Sequence, residues 1–141
     1  MTRAAGTRVS DFPTLQAAGE AAIARHSHFY TDAPGWLFRA FAHGDDILVH
    51  AYPVIRWTPL GATIRDIWGK GGGRWVNLDG AQSGHPFANR TVRDAVLDLN
   101  TRSLSSVVEF QNRMERAMRV ADDTYRLLGE DAAKGGDNGL L

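Results

Sequence analysis

Apolar positions recur at steps of three and four near the C-terminus. Val92, Val96, Leu99, Val107, Phe110, Met114, Ala117, Ala121, Tyr125 and Leu128, with Ser103 in register, share one face of a helix predicted from Thr91 to Gly129. At 1.5 Å per residue that helix is roughly 55 Å long. The rest of the chain is too small to cover its apolar face, so a second copy or another protein is expected to do so. Thr91, with Asp94 three residues on, forms an acidic variant of the capping box. Ser103, Ser105 and Ser106 interrupt the stripe and weaken helix propensity. Both a straight helix and one kinked there fit the pattern.

Upstream, the pattern changes period. Residues 1–10 carry none and are expected to be flexible. Asp11-Phe12-Pro13 is a helix start, and Leu15, Ala18, Ala22 and Ile23 give one apolar face up to about His26. Asp32–Gly35 is a turn, after which Trp36, Phe38 and Phe41 lie close together. Gly44-Asp45-Asp46 is a second turn, followed by β-rich stretches at 47–52 and 54–57. Pro53 between them predicts an edge or a bulge. A strand is expected from Ala62 to Trp68, a hairpin loop over Gly69–Gly73, and a half-buried strand over Arg74–Leu78. The predicted fold class is α+β: an N-terminal helix, an antiparallel β-meander of four to five strands, and the long C-terminal helix. Residues 11–129 form one domain in this reading, and 130–141 a polar, glycine-rich, disordered tail.

Composition narrows the functional classes. Lys plus Arg and Asp plus Glu both number 16, so the formal charge is zero. Gripping duplex DNA needs a net basic surface, which counts against DNA as a partner. Six acidic residues balance six arginines on the long helix itself. There is no cysteine, so an intracellular setting is the default expectation. No run of eighteen apolar residues predicts a membrane span, and the N-terminus does not read as a signal peptide.

Few motifs carry chemistry. Gly69-Lys70-Gly71-Gly72-Gly73 lacks the P-loop order, because its lysine precedes the glycines and a strand follows. His26, His28, His43, His50 and His85 have no metal-ligand spacing. There is no Gly-x-Ser-x-Gly, and the carboxylate pairs Asp45-Asp46 and Asp122-Asp123 read as solvated charges. The expectation is a protein that is not an enzyme and takes no cofactor or metal. On the long helix, Arg113 follows Arg102 by about three turns, and Arg116 is one turn beyond. This row borders the apolar stripe and suits a compact anion. Asp98 and Glu109 each stand four residues before an arginine of the row, which is also ordinary helical ion pairing. Phe87, Trp75 and Trp57 near the helix start are candidates for stacking a base, or for core.

Three segments in order carry a resemblance: Arg56-Trp57-Thr58-Pro59-Leu60-Gly61-Ala62-Thr63-Ile64, then Arg74-Trp75-Val76, then Phe87-Ala88-Asn89-Arg90-Thr91-Val92-Arg93-Asp94-Ala95. Over residues 54–128 the chain resembles small phage proteins with a β-meander and a long C-terminal helical segment, among them the first-described anti-Thoeris sponge family. The resemblance implies a phage anti-defence protein acting in the cytoplasm of the infected bacterial host. Its partner would be a cyclic nucleotide signal, a cyclic ADP-ribose isomer or a cyclic oligonucleotide, sequestered uncleaved by a homodimer or homohexamer. Phe87 matches the family's stacking aromatic. The family's asparagine ten residues later falls on Leu97 here, with Asn100 the nearest candidate, and its paired arginines correspond to Arg113 and Arg116. The implied ligand-binding set is Phe87, Asn100, Arg102, Arg113 and Arg116. The alternative is a phage protein-binding inhibitor, or a virion assembly protein, that works through its helical interface.

Overall fold

The computed structural model describes residues 6–80 and 85–135. It is an α+β protein with a five-stranded antiparallel sheet, a short N-terminal helix and a long C-terminal helix. The chain falls into two compact units, one ending at Arg102 and the other beginning at Ser103. The single domain expected over 11–129 spans both.

In the first unit, strand β1 (Thr7–Arg8) pairs with Val49 and Leu48, so ordered structure begins inside the segment expected to be flexible. A 3-10 turn over Val9–Asp11 follows, and helix α1 (Leu15–Ala24) starts four residues later than the Asp11 signal suggests. The cap is Thr14, whose Oγ1 accepts from the Ala17 amide at 3.0 Å. Strand β2 (Trp36–His43) turns through Gly44-Asp45 into β3 (Asp46–Thr58). Gly44 sits at φ +61°, a conformation a glycine reaches without steric cost. Strand β3 is continuous through Pro53. That residue is the last one paired with β2; pairing with β4 (Gly61–Arg65) begins at Val54, and the register shifts between Val54 and Arg56. The proline thus falls where one ladder hands over to another, and the irregularity it announces lies next to it. Strand β4 ends at Arg65, so Ile67 and Trp68 belong to the turn that leads into β5 (Gly73–Asn77) and not to a strand.

Alternation along these strands builds two apolar layers. Phe38, Ala40, Val49 and Ala51 point one way and bury Ala22 of α1 with Val92, Ala95 and Leu99 of α2 (Val92–Lys134). Gly19 permits this approach: a Cβ there would lie 2.7 Å from a Val92 methyl carbon. Leu37, Tyr52, Val54, Ala62, Ile64 and Val76 point the other way and are covered by Ala88, with Trp68 and Phe87 packed at the margin. The segment bearing Ala88 is tied to β2, since Phe38 and Asn89 exchange two backbone hydrogen bonds of 2.7 Å.

Thr91 caps α2 as its sequence indicates, with Oγ1 accepting from the Asp94 amide at 3.0 Å. The helix does not stop at Gly129; it runs to Lys134, so 130–134 is helical and not a disordered tail, and residues 136–141 lie outside the described residues. It is helical throughout Ser103–Ser106. In the second unit every residue from Ser103 to Lys134 is exposed, including Leu104, Val107, Phe110, Met114, Met118 and Leu128.

Candidate functional site

The second layer of the sheet does not stay apolar along its length. Because directly paired residues in antiparallel strands share a face, Leu37 and Tyr52, Arg39 and His50, and Phe41 and Leu48 all project to the same side. Arg74, opposite Ile64, projects there from β5. At one end of the apolar floor lies an open cavity of about 310 Å³ in which charged groups join aromatic walls, lined among others by Arg39, His50, Tyr52, Asp66, Trp68 and Arg74.

Phe87 lines this cavity, and its ring is the organising element. The Arg74 guanidinium carbon lies 3.7 Å from the ring centroid and that of Arg39 lies 4.6 Å away. Tyr52 meets the same ring edge-on at 5.4 Å. Arg39 is held further by its donation to the Phe87 carbonyl oxygen at 2.7 Å. Burial, and then the nearby Arg102 cation, lower the Arg39 pKa from its ordinary value. A guanidinium so placed remains charged at neutral pH. Two cations thus meet one aromatic ring, and neither makes an ion pair within 4.0 Å among the described residues.

The opposite wall is aromatic and neutral. His50 stacks flat on Trp68 with centroids 3.7 Å apart, and Phe41 tilts against His50 at 4.5 Å. His26, just beyond α1, meets Trp68 edge-on at 5.0 Å. Burial, reinforced by His26, Arg25 and Arg39, pushes the His50 pKa down to about 4. Burial first, and the Asp66 carboxylate second, push the Tyr52 phenol up to about 12, so it stays a hydrogen-bond donor at neutral pH.

The five residues anticipated from the sequence are placed unequally. Phe87 lies in the cavity. Arg102 is engaged within the fold: Nε donates to Asp98 at 2.9 Å and a terminal nitrogen donates to the Ala40 carbonyl at 3.0 Å. The second oxygen of the Asp98 carboxylate meets His85 Nδ1 at 2.7 Å. Arg102 still reaches the site electrostatically, through Arg39. Asn100 is exposed on α2 and does not line the cavity. Arg113 and Arg116 belong to the second unit, where both are exposed and Arg113 makes the expected i,i+4 pair with Glu109 at 3.9 Å. Trp57 and Trp75 are also partly exposed; Trp57 carries Arg90 over its ring at 5.1 Å.

Sequence reasoning missed Arg39, His50, Tyr52, Asp66, Trp68 and Arg74. A signal for two of them was present: Leu37-x-Arg39-x-Phe41 and Arg74-x-Val76 each put an arginine on the inward face of an alternating strand. Among the described residues no three histidine or acidic side chains are grouped to hold a metal ion, and no helix is long and apolar enough to cross a membrane. Comparison with protein families, curated proteins and solved structures yields no match to this chain.

Proposed function

We propose that this chain is a phage anti-defence protein that captures a cyclic nucleotide signal without cleaving it, and that copies assemble through the exposed face of α2. The observation that carries the nucleotide reading is the convergence of Arg39 and Arg74 on the Phe87 ring, in a cavity walled by the His50–Trp68 stack. Paired guanidiniums suit a phosphate, and aromatic walls suit a base. In this reading Arg39 and Arg74 take the phosphate role first given to Arg102, Arg113 and Arg116. The anti-defence setting rests on the resemblance of residues 54–128 to phage sponge proteins.

Capture without turnover needs contacts that hold the ground state with no preference for a transition state. Arg39 and Arg74 meet that need, because a guanidinium neither takes nor gives a proton at neutral pH. Assembly is supported by the run of exposed apolar residues on the second unit, which is rare on the surface of a solitary soluble protein.

Calorimetry of the full chain against cyclic ADP-ribose isomers and cyclic dinucleotides tests the reading. At least one should bind, be recovered chemically intact after heat denaturation, and be lost with Arg74→Ala. Heat-released hydrolysis product, or silence with every nucleotide, overturns it. In the latter case the chain is better read as a protein-binding inhibitor.

A further inference from the structure

The cavity holds one negative group among its cations. Asp66 lines it together with Arg39 and Arg74, yet it makes no ion pair within 4.0 Å among the described residues. Asp66 is half-buried, and its backbone is held in place. Its own amide donates to the Gly72 carbonyl at 2.8 Å, and its carbonyl accepts from the Gly69 and Gly71 amides at 3.1 and 2.9 Å. The turn is built around its side chain as well. A Cβ on Gly69 would stand 2.5 Å from Asp66 Oδ2, so the glycine leaves the carboxylate its room. At φ +83°, Gly71 closes the same turn.

A carboxylate that lines a cavity without an ion-pair partner has its acceptor capacity open to a ligand that donates to it. We propose that Asp66 makes this cavity a guanine site: Arg39 and Arg74 hold the phosphate, and the base's N1–H and exocyclic N2 amine donate side by side to the two Asp66 oxygens. This inference rests on the capture reading and specifies its ligand.

The chemistry selects guanine over the other bases. An ionised carboxylate only accepts. Guanine alone presents two adjacent donors on its pairing edge. Adenine and cytosine set their amine beside a ring-nitrogen acceptor, which would face the second carboxylate oxygen. Uracil's single N–H lies between two carbonyls. Sites whose polar groups are satisfied only by the right ligand discriminate strongly against analogues that leave them unpaired. The open cavity, at the small end of ligand pockets, is of a size to take one nucleotide unit of such a ligand.

Titration calorimetry with cyclic GMP, cyclic IMP and cyclic AMP decides the matter. The expected order is cyclic GMP tightest, cyclic IMP (which lacks the N2 amine) intermediate, and cyclic AMP weaker than cyclic GMP by tenfold or more. Asp66→Asn should bring cyclic GMP and cyclic AMP within threefold of each other; the order of the three ligands on the unaltered protein tests the idea even if that variant does not fold. Equal affinity of the unaltered protein for all three, with binding lost in Arg74→Ala, would overturn the guanine assignment and leave capture standing. Binding of a cyclic ADP-ribose isomer with no binding of any guanine nucleotide would likewise overturn the guanine assignment alone, and silence with cyclic mononucleotides, cyclic dinucleotides and cyclic ADP-ribose isomers together would overturn both.

Discussion

The guanidinium of Arg74 packs 3.7 Å from the centre of the Phe87 ring, joining strand β5 to the segment that precedes the long helix. A second cation, Arg39, shares that ring. Each such contact contributes about 0.5–1 kcal/mol at a partly exposed site. Phe87→Leu should therefore cost roughly 1–2 kcal/mol in urea unfolding while keeping much of the apolar burial, and it should weaken nucleotide capture. Phe87→Trp, with a stronger quadrupole, should retain both; equal stability of the Leu variant and the parent would remove the ring from its organising role.

Acid should weaken the fold through His50. Its folded-state pKa, near 4, lies below the unfolded value of 6.5, so between those values the unfolded chain binds the extra proton. The neutral imidazole's contribution is complete above about pH 6.5 and is lost as the pH falls toward 4, to the extent of about 3 kcal/mol. The groups that disfavour the charged ring are His26, Arg25 and Arg39. No group among the described residues hydrogen-bonds His50 Nε2, which is buried. His50→Phe keeps a flat ring against Trp68 and removes the titration. Melting curves at pH 7 and pH 4.5 should differ clearly less in this variant than in the parent; an unchanged difference would assign the acid effect elsewhere.

Two glycines should respond in opposite ways to alanine. A Cβ on Gly61 would stand 2.0 Å from the Val76 carbonyl oxygen, a backbone atom that cannot move aside without opening the β4–β5 ladder. Gly61→Ala should cost about 3 kcal/mol or more, the upper range of overpacking. A Cβ on Gly72 meets nothing within 4 Å, and Gly72→Ala should stay within about 0.5 kcal/mol of the parent. Chemical denaturation of the pair provides an internal control.

Self-association through the second unit should be reversible by charge. Phe110 and Met114 are 63% and 50% exposed on α2. Replacing both by Glu adds two like charges per copy to the proposed interface. Light scattering should show the parent as an oligomer and the double variant as a monomer with unchanged helix content. A monomeric parent at every concentration would overturn the assembly reading.

Much of this architecture was legible in the sequence because local chemistry agrees with the fold. The Thr91 cap, the Gly44-Asp45 turn and the glycine loop after Asp66 are each specified by a few neighbouring residues. The misses arose where distant contacts decide. Thr7 and Arg8 have no periodicity, and they become a strand only because Val49 and Leu48 offer an edge. Trp68 looked like a strand residue and instead leaves the sheet to stack on His50. The site was mostly hidden for the same reason: Arg39, Tyr52, Asp66 and Arg74 come from separate elements, and only strand pairing brings them round Phe87.

The two short bonds between Phe38 and Asn89 tie that cavity's wall to the sheet. They fasten residues 51 positions apart along the chain, so the wall carrying Phe87 is held to β2 by a non-local pairing. Opening the wall means breaking a non-local pairing and not merely swinging a loop. Amide exchange at these two positions would consequently track global unfolding, and a bound ligand would slow it by as much as it stabilises the whole first unit.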